Sequence, residues 1–141
     1  MHQGTIFYPI IGMVFLTFVV GTRMLLARVK AVKKDGMNPV FFSLNRGAKQ
    51  PEYLIKVSQH YENLFELPLL FYMATILIYI TNNADYWYLC LASFFVIIRY
   101  FHAFIHITYN HLSHRRNIFL AGTMVLFIIW LRLSYQIIMF N

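Results

Sequence analysis

The chain has 141 residues, of which 60% are hydrophobic and 12% charged, and its formal net charge at pH 7 is +7. A soluble domain of this length cannot bury so much apolar surface in one core, so the composition excludes an ordinary soluble domain and indicates a single membrane domain. The basic residues flank apolar runs, which favours an anionic membrane surface over nucleic acid as their partner. The single cysteine, Cys90, excludes an intrachain disulfide and indicates ordinary packing.

Four apolar segments are long enough to cross a bilayer, which takes about 20 mostly apolar residues. We predict one domain over residues 1–141, with helices at about 5–33, 52–81, 85–109 and 115–139. The short connections between the last three helices predict antiparallel neighbours. The predicted fold class is therefore all-α, an up-down integral membrane bundle of four transmembrane helices.

The basic residues predict the direction of the helices. The first connection and its flanks carry Arg28, Lys30, Lys33, Lys34, Arg46, Lys49 and Lys56. The second connection carries none, and the third carries Arg115 and Arg116. By the positive-inside rule, the long first connection and the third are cytoplasmic and both termini lie on the opposite side. Aromatic residues that would lie at the outer interface agree with this direction: Tyr8, Tyr86, Trp87, Trp130 and Tyr135.

Polar side chains interrupt the second and third helices at spacings of three and four, which places each set on one helix face. The sets are Lys56, Gln59, Asn63 and Glu66 in the second helix, and Arg99, His102, His106 and Tyr109 in the third. Ionisable residues at membrane depth usually face a partner helix or a wet cavity. Both stripes lie in the cytoplasmic halves of antiparallel helices, so we expect a polar pocket that opens to the cytoplasm.

Simpler interpretations exist for the same residues. Glu66 and Arg99 are predicted to pair across the two helices, and that pair alone could be structural. Asn63 could serve as a hydrogen-bond contact between helices. His102 and His106 lie one turn apart and could bind a metal, but no obvious third ligand accompanies them, so we predict no metal site.

Other polar or helix-breaking residues have local interpretations. Pro68 would free a carbonyl near Leu64 and kink the second helix. Arg23 and Arg132 are expected to snorkel or to pair locally. Glu62 is expected to point to another face and to pair with a loop lysine.

Two segments together resemble the MAPEG family, the membrane-associated proteins in eicosanoid and glutathione metabolism. The segment from Asn63 to Tyr72, NLFELPLLFY, resembles the second-helix signature of the family. The other segment resembles the third helix and the loop after it, with Arg99, His102, His106, Arg115 and Arg116. Size, span number and the long basic first loop also match. The signature resembles bacterial members more than mammalian synthases, which implies a bacterial inner membrane.

The resemblance implies a homotrimer that binds glutathione between neighbouring subunits on the cytoplasmic side. Arg28 would meet a glutathione carboxylate, and Asn63 and Glu66 would bind polar groups of the peptide, with Glu66 at its amino group. Arg115 or Arg116 would lie beside the sulfur. The remaining residues assigned to the glutathione pocket are Gln59, Arg99, His102 and His106.

Two positions depart from the family pattern. Many members carry an arginine just before the asparagine, whereas residues 59–62 contain none, and His106 stands where several members have tyrosine.

The implied activity is that of a glutathione transferase or peroxidase. A neighbouring arginine favours the thiolate, the nucleophilic form of a thiol whose pKa is otherwise about 8.5. The second substrate would be a lipophilic electrophile or a lipid hydroperoxide that enters sideways from membrane lipid. The alternative is a non-catalytic protein that binds lipid or a partner protein through the same cavity. A transporter or channel subunit is disfavoured because both polar stripes stop halfway across the membrane.

Overall fold

The computed structural model describes residues 2–44 and 49–140, and Arg46 of the basic first connection lies outside them. A 3-10 turn at Gln3–Ile6 leads into helix α1, and the described residues contain six α-helices and no strand. The helices are α1 (Phe7–Lys33), α2 (Phe41–Leu44), α3 (Glu52–Asn63), α4 (Leu67–Ile80), α5 (Tyr86–Ile107) and α6 (Leu112–Phe140).

Four helical segments are long and apolar enough to cross a membrane. They are Gln3–Lys33, Glu52–Ile80, Tyr86–Ile107 and Leu112–Met139. Large apolar side chains cover their outer faces, including Phe18 at 71% exposure and Ile138 at 75%. Such a surface is stable in lipid but not in water. The predicted fold class, an all-α integral membrane bundle with four spans, is confirmed.

The bundle is held by a core that all four spans share. Helix α5 packs against α6, α1 and α3, while α1 also packs against α3 and α4. The rings of Phe71 and Phe95 stack at a centroid distance of 4.7 Å between α4 and α5. Tyr100 of α5 donates a hydrogen bond to the carbonyl of Gly12 in α1 at 2.8 Å. These contacts fix α5 at the centre of the bundle, and the polar stripe of the third span lies on this helix.

The second span is broken rather than kinked. Helix α3 ends at Asn63 and α4 begins at Leu67, while Glu66 between them has a non-helical backbone with ψ −96°. Pro68 occupies the first turn of α4, where its missing N–H costs no helical hydrogen bond. We predicted one helix over 52–81 with a kink near Leu64, whereas the structure has two helices separated by three residues. The break sets Asn63 at a helix end, next to the third span.

A cluster of polar contacts closes the end of the bundle that carries the α4–α5 connection. Asp85 accepts a hydrogen bond from the backbone N–H of Tyr88 at 2.9 Å and so caps α5. The same carboxylate forms a bidentate ion pair with Arg132 of α6, whose guanidinium lies 4.2 Å from the Tyr88 ring centroid. Of the two interpretations of Arg132, snorkelling or local pairing, the structure shows local pairing. The side chain of Gln3 accepts from the N–H of Ala84 at 3.0 Å. This end is tied together, and the candidate site lies at the other end.

Candidate functional site

A polar cavity of about 530 Å³ lies between the end of α3, the second half of α5 and the start of α6. Its lining combines carboxylates, amides, imidazoles and guanidinium groups with two apolar side chains. The lining residues are Gln59, Glu62, Asn63, Glu66, His102, His106, Leu112, Arg115, Arg116 and Phe119.

Seven of the nine site residues proposed from the sequence line this one cavity. They are Gln59, Asn63, Glu66, His102, His106, Arg115 and Arg116. Arg99 lies behind the lining, and Arg28 lies elsewhere. Glu62 was expected on another face, and that expectation is wrong, because Glu62 also lines the cavity. The geometry brings these residues together, while their roles in binding and catalysis stay predictions.

Arg99 and Glu66 are connected through Asn63. A guanidinium nitrogen of Arg99 donates to the side-chain oxygen of Asn63 at 2.6 Å and to its backbone carbonyl at 3.2 Å. The amide nitrogen of Asn63 donates to Glu66 at 3.1 Å. Between these two described side chains there is no direct ion pair, so the predicted pairing is corrected to a bridged one. The physical reason is the break after Asn63, which puts the amide between the two charges.

The buried guanidinium of Arg99 lies behind the cavity lining. Arg99 is 1% exposed, and both of its described hydrogen bonds go to neutral oxygens of Asn63. A buried charge without a directly paired carboxylate is costly unless polar groups satisfy its donors; one terminal nitrogen of Arg99 makes both bonds, and Nε has no partner within the described residues. Asn63 therefore has a structural role in addition to lining the cavity. This agrees with the interpretation of Asn63 as a hydrogen-bond contact between helices.

The two arginines of α6 differ in how firmly they are held. Arg115 donates to the side-chain oxygen of Asn110 at 3.0 Å and lies 3.3 Å from Nε2 of His106. Arginine can only donate, so in this contact Nε2 of His106 accepts and the ring proton lies on Nδ1. Arg116 is exposed, and within the described residues its one hydrogen bond goes to the side-chain oxygen of Asn117, at 3.5 Å. The structure thus holds Arg115 at the cavity wall through two contacts, whereas Arg116 is exposed and makes one longer contact.

Three buried imidazoles lie together at the cavity wall, where His102 and His106 line the cavity and His60 lies next to them. His60, His102 and His106 are 0%, 2% and 5% exposed, and their ring centroids are 5.1–5.7 Å apart. Within the described residues, both ring nitrogens of His60 and Nδ1 of the other two lack a hydrogen-bond partner. Among the same residues, no group of three or more His, Cys, Asp or Glu side chains is arranged to hold a metal ion.

Sequence reasoning missed His60. A signal was present, because His60 follows Lys56 by four residues and precedes Asn63 by three, the spacing that defined the polar stripe. Lys56, which was included in that stripe, instead forms an ion pair with Glu52 at 2.7 Å.

The charges of the cavity suit a ligand that carries both signs. Glu62 and Glu66 come from the second span, whereas Arg115 and Arg116 come from the start of α6. Carboxylates bind ammonium groups, and the planar fork of arginine matches carboxylates. The cavity can therefore hold a small zwitterionic molecule with its ammonium and carboxylate groups bound by different helices.

Residues 6–135 match the model of the MAPEG family, so the chain belongs to this family. The chain matches no curated protein and no solved structure.

Arg28 lies outside the cavity of its own chain. Its guanidinium lies 5.3 Å from the ring centroid of Phe42 in the first connection. Arg28 lines a separate apolar groove, and this groove has no lining residue in common with the cavity. Its predicted contact with a glutathione carboxylate therefore requires the cavity of a second copy of the chain.

Proposed function

We propose that the protein is a membrane-bound glutathione-dependent transferase or peroxidase that acts on lipophilic electrophiles or lipid hydroperoxides. Membership of the family supports a membrane protein of glutathione or eicosanoid metabolism. The observation that carries the narrower proposal is the convergence of two carboxylates and two arginines from different helices on one cavity. The protein works as a homotrimer of the bacterial type, with the first and third connections on the cytoplasmic side.

Glutathione has the charge pattern that the cavity requires. It carries one ammonium group, two carboxylates and a thiol. Glu66, with Glu62 beside it, binds the ammonium group, and the exposed Arg116 binds a carboxylate. Arg28 of a neighbouring subunit binds the other carboxylate. The position of Arg28 outside the cavity of its own chain is the observation that supports a contact between subunits.

Arg115 is the arginine that activates the thiol in this proposal. Asn110 and His106 hold its guanidinium in place at 3.0 Å and 3.3 Å. A preorganised cation stabilises the thiolate without having to reorganise when the proton leaves. In a transferase step the thiolate then forms a carbon–sulfur bond with the electrophile as its leaving group departs. In a peroxidase step two glutathione molecules reduce one hydroperoxide to an alcohol and water and form one disulfide.

Thiolate absorbance of bound glutathione against pH tests this proposal. In the wild type, the pKa of the bound thiol should lie below the ordinary value of about 8.5. Arg115→Ala should raise it again, by one pKa unit for each ~1.4 kcal/mol of lost stabilisation. Arg116→Ala should weaken binding and move the thiol pKa less, and Lys34→Ala, an exposed charge at the end of α1, is the matched control.

Identical titration curves in all four proteins would contradict thiol activation by either arginine. If glutathione or lipid still bound under those conditions, the non-catalytic alternative would replace the enzymatic one.

A further inference from the structure

The first connection folds back onto the end of α1. The backbone N–H of Met37 donates to the carbonyl of Ala31 in the last turn of α1 at 3.0 Å. Gly36, with φ +67°, makes the reversal possible, because L side chains rarely adopt this conformation. Met37 and Phe41 are 7% and 8% exposed and join the core. This part of the connection therefore has a defined shape beside the end of a membrane span.

An apolar groove of about 250 Å³ lies between the end of α1 and this folded segment. It is lined by Arg28, Val29, Val32, Lys33, Pro39 and Phe42. The guanidinium of Arg28 lies over the Phe42 ring, so its methylene stem forms part of the groove wall. Lys33 is exposed and, within the described residues, has no ion-pair partner.

The charge around the groove is positive. Lys30 lies 4.3 Å from the ring centroid of Tyr53, and Lys34 is exposed. The nearby carboxylate, Asp35, accepts a hydrogen bond from the hydroxyl of Tyr53 at 2.5 Å. It forms no ion pair with any of these lysines. Lys33 is therefore not paired with any described carboxylate and can contact an anion at the mouth of the groove.

We propose that this groove binds one anionic glycerophospholipid, with its phosphate at Lys33 and the start of an acyl chain against Val32 and Phe42. The groove lies where the long apolar span of α1 ends, which is the level of lipid headgroups. Free phosphate would make no favourable contact with the apolar walls. A lipid packs its acyl chain against these walls and pairs its phosphate with the lysine. The proposed topology places the groove in the cytoplasmic leaflet, where anionic lipids attract basic segments. The proposed lipid contacts are with Lys33, Val32 and Phe42 and do not use the Arg28 guanidinium, which the proposed function assigns to the glutathione of a neighbouring subunit.

Native mass spectrometry of the detergent-purified protein tests the site with two probes, phosphatidylglycerol and phosphatidylcholine at equal concentration. The wild type should retain phosphatidylglycerol preferentially. Lys33→Gln should lower its retention about fivefold, the effect of one basic residue near an anionic surface. Val32→Trp should lower retention similarly by filling the groove without changing the charge. Lys34→Gln, next to Lys33 in sequence but outside the groove lining, should change retention little.

Three results would overturn the proposal. Equal losses in Lys33→Gln and Lys34→Gln would indicate diffuse attraction by the lysine cluster. Equal retention of both lipids by the wild type would show that no anion is recognised. Displacement of the lipid by millimolar inorganic phosphate would indicate a free-anion site. If Val32→Trp fails to fold, the comparison of the two lysine variants still decides between a site and diffuse attraction.

Discussion

Replacing Asn63 tests how the protein keeps a charged arginine in its interior. Asn63→Ala removes the side-chain oxygen 2.6 Å from the Arg99 guanidinium and leaves the weaker contact with the backbone carbonyl at 3.2 Å. A hydrogen bond to a charged group contributes about 1.5–3 kcal/mol. The lost contact with the exposed Glu66 adds little. We expect Asn63→Ala to lower the free energy of unfolding by about 2–3 kcal/mol.

The assay is equilibrium unfolding in mixed micelles, titrated with a denaturing detergent. The matched control is Asn117→Ala, which removes an asparagine contact to an exposed arginine at 3.5 Å and should cost less than about 0.5 kcal/mol. A second comparison uses Arg99→Met, which removes the buried charge. In that background, Asn63→Ala should cost less than about 1 kcal/mol, because no charge is left unpaired. An equal cost in both backgrounds would refute the argument that Asn63 acts through Arg99.

Three further predictions follow from contacts elsewhere. The guanidinium of Arg132 is hydrogen-bonded to Asp85 and holds the pKa of that carboxyl below its usual range. The contact therefore stabilises the folded protein fully above the unfolded pKa of about 3.9, and this stabilisation is lost as pH falls through the folded pKa. Asp85→Asn should therefore flatten the acid side of the thermal stability profile, and an unchanged acid limb would contradict this. His60→Met should change the free energy of unfolding by less than about 1.5 kcal/mol, because the ring nitrogens of His60 have no described partners. A larger loss in the detergent unfolding titration would show that the ring has a buried partner such as water. Native mass spectrometry should give a trimer, and monomers alone would count against the assembly.

The fold was predictable because its main signals are local. Apolar runs long enough for a bilayer predict spans without knowledge of packing, and the structure has helices in all four. Spacings of three and four also brought Gln59, Asn63 and Glu66 to one side of the second span, where they line the cavity. Periodicity within one helix could not show which helix supplies the third wall. That wall is the start of α6, and Glu62, three residues after Gln59 in α3, lines the cavity as well.

The contacts inside the site were less predictable. Opposite charges on facing stripes suggested a direct Glu66–Arg99 pair, but the helix break after Asn63 inserts an amide between them. A proline predicts an interruption without stating how many residues lose helical geometry. The position of Arg28 depends on the fold of the first connection around Phe42, which has no periodic signal.

Calorimetric titration of the detergent-purified protein with glutathione is the decisive test of glutathione binding in the cavity. We expect saturable binding with at most one glutathione per chain. We also expect Glu66→Gln and Arg116→Ala each to weaken binding about tenfold, the loss of about 1.4 kcal/mol, while the exposed Lys34→Ala leaves it unchanged. Absence of binding heat at millimolar glutathione at two temperatures, or equal affinity in all four proteins, would show that this cavity does not bind glutathione.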